Sequence, residues 1–247
     1  MKPYIAESLS LLHHFHDYRT LVQFSGGKDS IVTLHLAKLA GLSFDASYTF
    51  TGIDPPEIVS FIRRNYPSVF ILRPKHSFWH LIQTKNPPLM NMRWCCTELK
   101  KRPSWTLPHI HRIMGIRAEE SPKRRAYPSI DYNRKLHHFH VYPIHHWLEW
   151  QVWEFIEEYH LPYPSLYDEG FSRIGCCICP YHSSPNGKLH ALYRSRYPGM
   201  FKTFEHAVSS WYFKRVAQGR TMQHTSPEAF LSDWYKGPTR WYTLAQT

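Results

Sequence analysis

Phe24-Ser25-Gly26-Gly27-Lys28-Asp29-Ser30 decides how the first part of this 247-residue chain folds. The apolar run Leu21 to Phe24 reads as a strand, and the apolar spacing of Ile31 to Ala40 reads as a helix closed by Gly41. A strand that turns through two glycines into a helix offers backbone N–H groups and the positive end of the helix dipole to an anion. Gly26 and Gly27 admit close approach, and Lys28 adds a point charge. Ser25, Gly26, Gly27, Lys28, Asp29 and Ser30 therefore read as a phosphate cradle. The spacing is not that of a Walker A loop, since the glycines are adjacent and an aspartate follows the lysine. The plainer alternative is an ordinary glycine-rich turn.

Outward from this loop the alternation continues. Phe44 to Phe50 reads as a second strand, left by Thr51-Gly52-Ile53. Asp54, Pro55 and Glu57 then have the spacing of a helix start with a capping box, and that helix runs to about Asn65, before Pro67. Val69 to Leu72 gives a third strand, and His111 to Ile116 another, left by the loop Gly115 to Ser121. Strand alternating with helix predicts a doubly wound, mainly parallel α/β sheet, whose ligands bind beyond the carboxyl ends of the strands. Both Ser25 to Ser30 and Thr51-Gly52 fall at such ends. Leu148 to His160 has the apolar stripe of an amphipathic helix, with Trp147, Trp150 and Trp153 as packing groups beside it. From Asn186 onward the chain reads as mainly helical, with Ser226-Pro227-Glu228 as a late helix start and a polar tail from Pro238. The predicted organisation is a nucleotide-binding domain over 1–182 and a helical extension over 183–247 packed on it.

The composition limits the function. The aromatic content of 16% is too high for a disordered chain, and the net charge of +11 with a further 18 histidines predicts attraction to nucleotides or to nucleic acid. The basic runs Lys100-Lys101-Arg102, Lys123-Arg124-Arg125 and Arg134-Lys135 fit that footprint, and they fit solvated faces equally well. No apolar run is long enough for a membrane span, and Met1 to Ser10 lacks a signal-peptide pattern, so the expected setting is soluble and cytoplasmic, with no membrane partner. The histidine groups His13-His14-His16, His137-His138-His140 and His145-His146 lack the helical pairing with glutamate that a zinc hydrolase needs, and they read as loop or surface residues.

The five cysteines are placed unevenly. Cys95 and Cys96 are adjacent, and Cys176, Cys177 and Cys179 lie within six residues, Gly175-Cys176-Cys177-Ile178-Cys179-Pro180. Two neighbouring thiols plus a C-x-x-C pair supply four soft ligands, which suit either zinc or a [4Fe–4S] cluster; buried thiols are the alternative.

Taken in order, these stretches resemble a family. Ser25 to Ser30 resembles the SGGxDS loop of the PP-loop ATP pyrophosphatases, and Cys95-Cys96 with Cys176-x-x-Cys179 resembles the cluster-binding arrangement of the adenylyl-sulfate and phosphoadenylyl-sulfate reductases. Thr51-Gly52, Arg93 to Lys100, Gly115 to Ser121, Pro143 to Trp153 and Leu161 to Pro180 match the same group in the same order, covering roughly residues 20 to 182.

The resemblance implies an adenine nucleotide alpha hydrolase-like fold that binds ATP with Mg²⁺, or a sulfonucleotide, and a [4Fe–4S] cluster on Cys95, Cys96, Cys176 and Cys179. It implies phosphate contacts from Ser25, Gly26, Gly27, Lys28, Asp29, Ser30, Thr51, Gly52 and Arg117, with Lys28, Asp29, Lys100 and Arg117 at the chemistry and Arg124 or Arg125 assisting. Asp29 caps the helix or holds Mg²⁺. The family includes the ATP pyrophosphatase component of DNA phosphorothioation, which makes nucleic acid and a cysteine desulfurase expected partners. Two departures qualify it. The reductases carry a C-terminal Glu-Cys-Gly-Leu-His segment, and no cysteine follows Cys179 among these 247 residues, which leaves Cys177 as the only substitute. Position 50 is Phe where relatives often have Asp, against a magnesium or ribose contact there. The expectation is thus ATP activation for sulfur transfer, with thiol-dependent sulfonucleotide reduction and a non-catalytic nucleotide- or nucleic-acid-binding module as alternatives.

Overall fold

A computed structural model describes residues 1–183 and 188–237. Its elements are α1 (Pro3–His13), β1 (Thr20–Phe24), α2 (Lys28–Leu39), β2 (Phe44–Thr49), α3 (Pro56–Asn65), β3 (Val69–Leu72), α4 (Phe78–Thr84), α5 (Arg102–Trp105), β4 (His111–Met114), α6 (Pro122–Arg125), β5 (Ile130–Asn133), β6 (His138–Val141), α7 (Glu149–Glu158), α8 (Lys188–Arg196), α9 (Pro198–Ala217) and α10 (Pro227–Lys236). None of these helices is long and apolar enough to cross a membrane.

Packing groups the chain into two compact units. The first takes Met1–Thr49, Pro56–Leu72 and Ser104–Glu169; the second takes Phe50–Pro55, Arg73–Pro103 and Gly170–Thr247. The units do not divide at residue 182. Ile53, Leu99 and Ile178 share one apolar cluster with Phe204, Trp211 and Trp234, so the cysteine-bearing segments belong with the C-terminal helices.

In the first unit a six-stranded sheet has the order β3-β2-β1-β4-β6-β5. Val22 of β1 pairs in parallel with Ala46 of β2 on one side and Ile113 of β4 on the other. The chain winds from β1 out to β3, then returns to the far side of β1, so the order reverses between β1 and β4. That reversal opens the crevice in which α/β sheets hold ligands. Helix α2 follows β1 directly. Ile31, Val32, Leu34, Leu36 and Ala37 are all buried, which covers most of its circumference, and α1 and α7 pack on it. It ends at Gly41, with φ +67°, where Leu42 N–H reaches Ala37 O and Gly41 N–H reaches Lys38 O.

Two features depart from the sequence reading. β5 and β6 form an antiparallel hairpin at one edge, Tyr132 opposite Phe139, in a stretch where the sequence reading places no strand and takes His137-His138-His140 as loop or surface residues. Asp54, expected to cap α3, instead turns its carboxylate back onto Thr51, accepting from the Thr51 N–H at 2.7 Å and its hydroxyl at 2.8 Å.

The second unit is built on α4, α9 and α10, whose Phe78, Leu81, Ile82, Phe204, Val208, Trp211, Phe230 and Trp234 form its core. The Trp234 indole N–H donates to Pro88 O at 2.7 Å, so a large aromatic is buried with its polar edge satisfied. Helix α10 starts where predicted, with the Ser226 hydroxyl accepting from Ala229 N–H at 3.2 Å. The tail from Pro238 and the predicted boundary at Asn186 lie outside the described residues.

Candidate functional site

The loop after β1 is tied by its own serines. The Ser30 hydroxyl donates to Gly27 O at 2.8 Å and accepts from Ser25 N–H at 3.1 Å, and Ser25 Oγ lies 3.1 Å from it. These hydroxyls set the loop's shape. Gly26 has φ +77°, and a Cβ there would stand 3.0 Å from Ile58, so the position requires glycine both for its backbone and for its space.

Opposite, the loop after β4 closes on the first turn of α2. A Cβ on Gly115 would lie 2.6 Å from Asp29 O, so the approach depends on a hydrogen in that place. It brings Arg117 to Asp29, Nε to Oδ1 at 2.5 Å, and Arg117 also pairs with Glu119. Arg117 is 3% exposed, and this carboxylate pairing offsets the burial of its charge. Lys28, also 3% exposed, sends its ammonium to Glu149 at 3.3 Å and over the rings of Tyr167 and Trp153, at 5.2 and 6.0 Å from their centroids. The structure therefore brings Ser25, Gly26, Gly27, Lys28, Asp29, Ser30 and Arg117 together. Asp29 meets Arg117 and does not cap α2, whose N-cap is Gly27 without a side-chain bond. Arg124 is engaged by Glu120, and Arg125 is exposed.

The second unit gathers the thiols. Cys95 and Cys96 open a wide turn over Cys96–Lys101, whose last N–H, from Arg102, reaches back five residues to Thr97 O. Thr51 Oγ1 lies 3.6 Å from Cys176 Sγ, and Cys177 N–H donates to Ile53 O at 2.7 Å. Thr51 and Gly52 are thus grouped with the cysteines. The Tyr193 hydroxyl, fully buried, accepts from Gly175 N–H at 3.1 Å and fixes the segment that carries Cys176. The Cys95 thiol hydrogen-bonds Cys96, which lowers Cys96 to about 5 with help from the Arg93 and Lys100 charges, while Cys95 is pushed up. Burial raises Cys176 to about 12. The Lys100 ammonium is held charged by Cys176, Asp54, Cys96 and Cys179. Four thiols and one cation thus share a single electrostatic neighbourhood, a donor set that fits a soft, thiolate-bound metal group. Among the described residues no three His, Cys, Asp or Glu side chains are drawn around a common centre, so the thiols are near one another without forming a closed cage.

The phosphoadenosine phosphosulfate reductase domain family matches residues 19–182. The chain belongs to this family. Among its relatives is an uncharacterized protein of Methanocaldococcus jannaschii, 30% identical over 202 residues that cover 77% of this chain and 42% of that protein. A second from the same organism is 28% identical over 70% of this chain and 46% of its own length, so the chain spans less than half of these two relatives. An adenosine 5′-phosphosulfate reductase of Geobacillus kaustophilus is 26% identical over 72% of this chain and 79% of the reductase. The solved phosphoadenylyl-sulfate reductase of Candida auris, a phosphate complex, shares the fold, with a TM-score of 0.55, 21% identity, and coverage of 69% of this chain and 88% of that one.

The family motifs mark the loop and the cysteines, but they do not announce Glu149 or Tyr167 as neighbours of Lys28. Those contacts span 121 and 139 residues of chain (149 − 28 and 167 − 28), and no local pattern encodes them. The family's Trp-rich segment is split in role. Trp147 is buried and donates to Ser8 Oγ at 2.9 Å, Trp150 is exposed, and Trp153 joins Lys28.

Proposed function

We propose that this member of the family is an ATP pyrophosphatase that activates an acceptor for sulfur transfer, with nucleic-acid thiolation, including DNA phosphorothioation, as its setting. The observation that carries the reading is the placement of the Ser25–Ser30 loop at the β1/β4 reversal, with two buried cations, Lys28 and Arg117, beside it. Cleavage between the α- and β-phosphates builds negative charge on the departing pyrophosphate. Lys28 and the first N–H groups of α2 offset that charge, Arg117 holds anionic oxygens, and Asp29, paired with Arg117 at the first turn of α2, is the carboxylate offered to Mg²⁺. Lys100, in the thiol neighbourhood, clamps an anionic group of the acceptor or donor. Cys95, Cys96, Cys176 and Cys179 would hold a [4Fe–4S] cluster, which would supply a thiophilic site for sulfur. The charge of +11 suits a nucleic-acid acceptor, a cysteine desulfurase is the matching sulfur source, and the compartment is the cytoplasm. The test is pyrophosphate release from ATP by anaerobically purified protein, lost in Lys28→Ala. No release with nucleic-acid acceptors and a sulfur donor present would overturn the proposal.

A second reading, thiol-dependent reduction of a sulfonucleotide, is favoured by the 79% coverage of the Geobacillus reductase. It requires an accessible thiol outside the ligand set, and Cys177 is 0% exposed. Sulfite release from labelled sulfonucleotide with thioredoxin, abolished in Cys177→Ser, would select it.

A further inference from the structure

The cations beside the loop are already occupied. Glu149, at the start of α7, places Oε1 3.3 Å from Lys28 Nζ, and its backbone N–H donates to Glu119 Oε2 at 2.8 Å. Glu119 pairs with Arg117, Arg117 with Asp29, and Asp29 Oδ2 lies 3.9 Å from Lys28 Nζ, which closes the ring. Three carboxylates therefore enclose two cations. The Tyr167 hydroxyl accepts the backbone N–H of Lys28 at 2.9 Å, and it stands 3.1 Å from where a Cβ on Gly27 would be. A carboxylate oxygen sits on the ammonium, and a hydroxyl oxygen sits on an N–H at the helix start, the two kinds of donor that a phosphate group takes.

We infer that Glu149 and Tyr167 hold the places of ligand oxygens at the anion seat and are exchanged out when a di- or triphosphate enters. The inference rests on the reading of the Ser25–Ser30 loop as a polyphosphate site and adds how that site is regulated. Exposure decides which partner leaves. The Lys28 side chain is 4% exposed and that of Glu149 is 50% exposed, so Glu149 rehydrates readily while Lys28 stays in place. The exchange keeps Lys28 paired at every stage, because one anion replaces another. Its consequence is a seat that rejects weak single anions and admits ligands whose several oxygens replace both stand-ins together. Glu149 and Tyr167 thereby set affinity and selectivity without touching the reacting bond.

The test is calorimetric titration of inorganic pyrophosphate into the wild-type chain and into Glu149→Gln, Glu149→Asp, Tyr167→Phe and Lys28→Ala. Glu149→Gln removes the competing charge from an exposed position and is expected to bind about fivefold to tenfold tighter. Tyr167→Phe keeps the ring and removes the hydroxyl, with an expected gain of about threefold. Glu149→Asp, whose shorter carboxylate keeps the charge but withdraws from the ammonium, falls between wild type and Glu149→Gln. If Lys28→Ala abolishes binding while the Glu149 and Tyr167 variants bind no better than wild type, the exchange is wrong and the polyphosphate site stands. If Lys28→Ala binds as wild type does, the polyphosphate reading fails, and the inference with it.

Discussion

Arg117 and Asp29 meet at 2.5 Å, Nε to Oδ1, and the pair ties the loop after β4 to the first turn of α2. Because Arg117 is buried, the contact matters more than a surface ion pair does. Asp29→Asn leaves Glu119 and Glu120 as the carboxylates at Arg117, and the loss expected in urea unfolding is about 1–3 kcal/mol. Charge-reversing Arg117→Glu faces two carboxylates and is expected to prevent closure of the loop, read as loss of pyrophosphate binding.

Gly115→Ala tests the same closure by steric means. The added methyl meets the Asp29 carbonyl at 2.6 Å and Thr33 Oγ1 at 2.9 Å, and backbone on both sides must shift. A destabilisation of about 1–3 kcal/mol is expected, with weakened pyrophosphate binding. Gly199→Ala is the control: nothing lies within 4 Å, the site is helical, and the unfolding midpoint is expected to hold or rise.

Iron and sulfide content separates the thiols. Anaerobically reconstituted Cys95→Ser, Cys96→Ser, Cys176→Ser and Cys179→Ser are each expected to lose the iron, whereas Cys177→Ser, altered at a buried side chain that is not in the ligand set, is expected to retain it. Loss of iron in Cys177→Ser with retention in any of the other four would reassign the ligands.

Stability is expected to fall in mild acid. His190 is 5% exposed among Phe201, Trp234 and Tyr235, and burial, aided by the Arg194 charge, lowers it to about 4. His138 and His182 are lowered by burial to about 4 and about 3. The unfolded chain takes up protons near pH 6.5 and the folded chain does not. Stability is therefore intact above about pH 6.5 and declines as pH falls toward about 4. Each such histidine contributes about 2 kcal/mol between pH 8 and pH 5. Urea midpoints at those two pH values are the measurement. His190→Gln is expected to reduce the difference by its own share of about 2 kcal/mol, leaving the part that the other buried histidines supply.

The sequence carries β1, β2 and β4 because each leads into a glycine-bearing turn, at Gly26-Gly27, Gly52 and Gly115, a pattern local enough to survive without tertiary information, whereas β6, with two histidines and no glycine after it, does not show. β5 is invisible too. Ile130 and Tyr132 are exposed and Asp131 and Asn133 half-buried, so this edge strand has no apolar run and is held by its pairing with β6. α1 buries only Ile5, Ser8 and Leu12 and hides among histidines. At the site, glycine and cysteine spacing is written locally and can be read. The carboxylates around Lys28 and Arg117 arrive from α7 and from the turn after β4, and only the completed sheet places them. Asp54 shows the limit of local rules: its capping-box spacing is present, but a nearer N–H and hydroxyl on Thr51 take the carboxylate.

The second unit is assembled from three separated stretches, and this fixes an order of events on the ribosome. Cys95 and Cys96 emerge first, followed by all of Ser104–Glu169, before Cys176 and Cys179 appear. At about 5–20 residues per second, the first thiol pair waits several seconds without its counterpart. During that interval the groups that lower Cys96, namely Cys95, Arg93 and Lys100, are already made, whereas Cys176 and Cys179 are not. The interleaving of the chain thus makes completion of the four-thiol set a late event, dependent on the last of the three stretches.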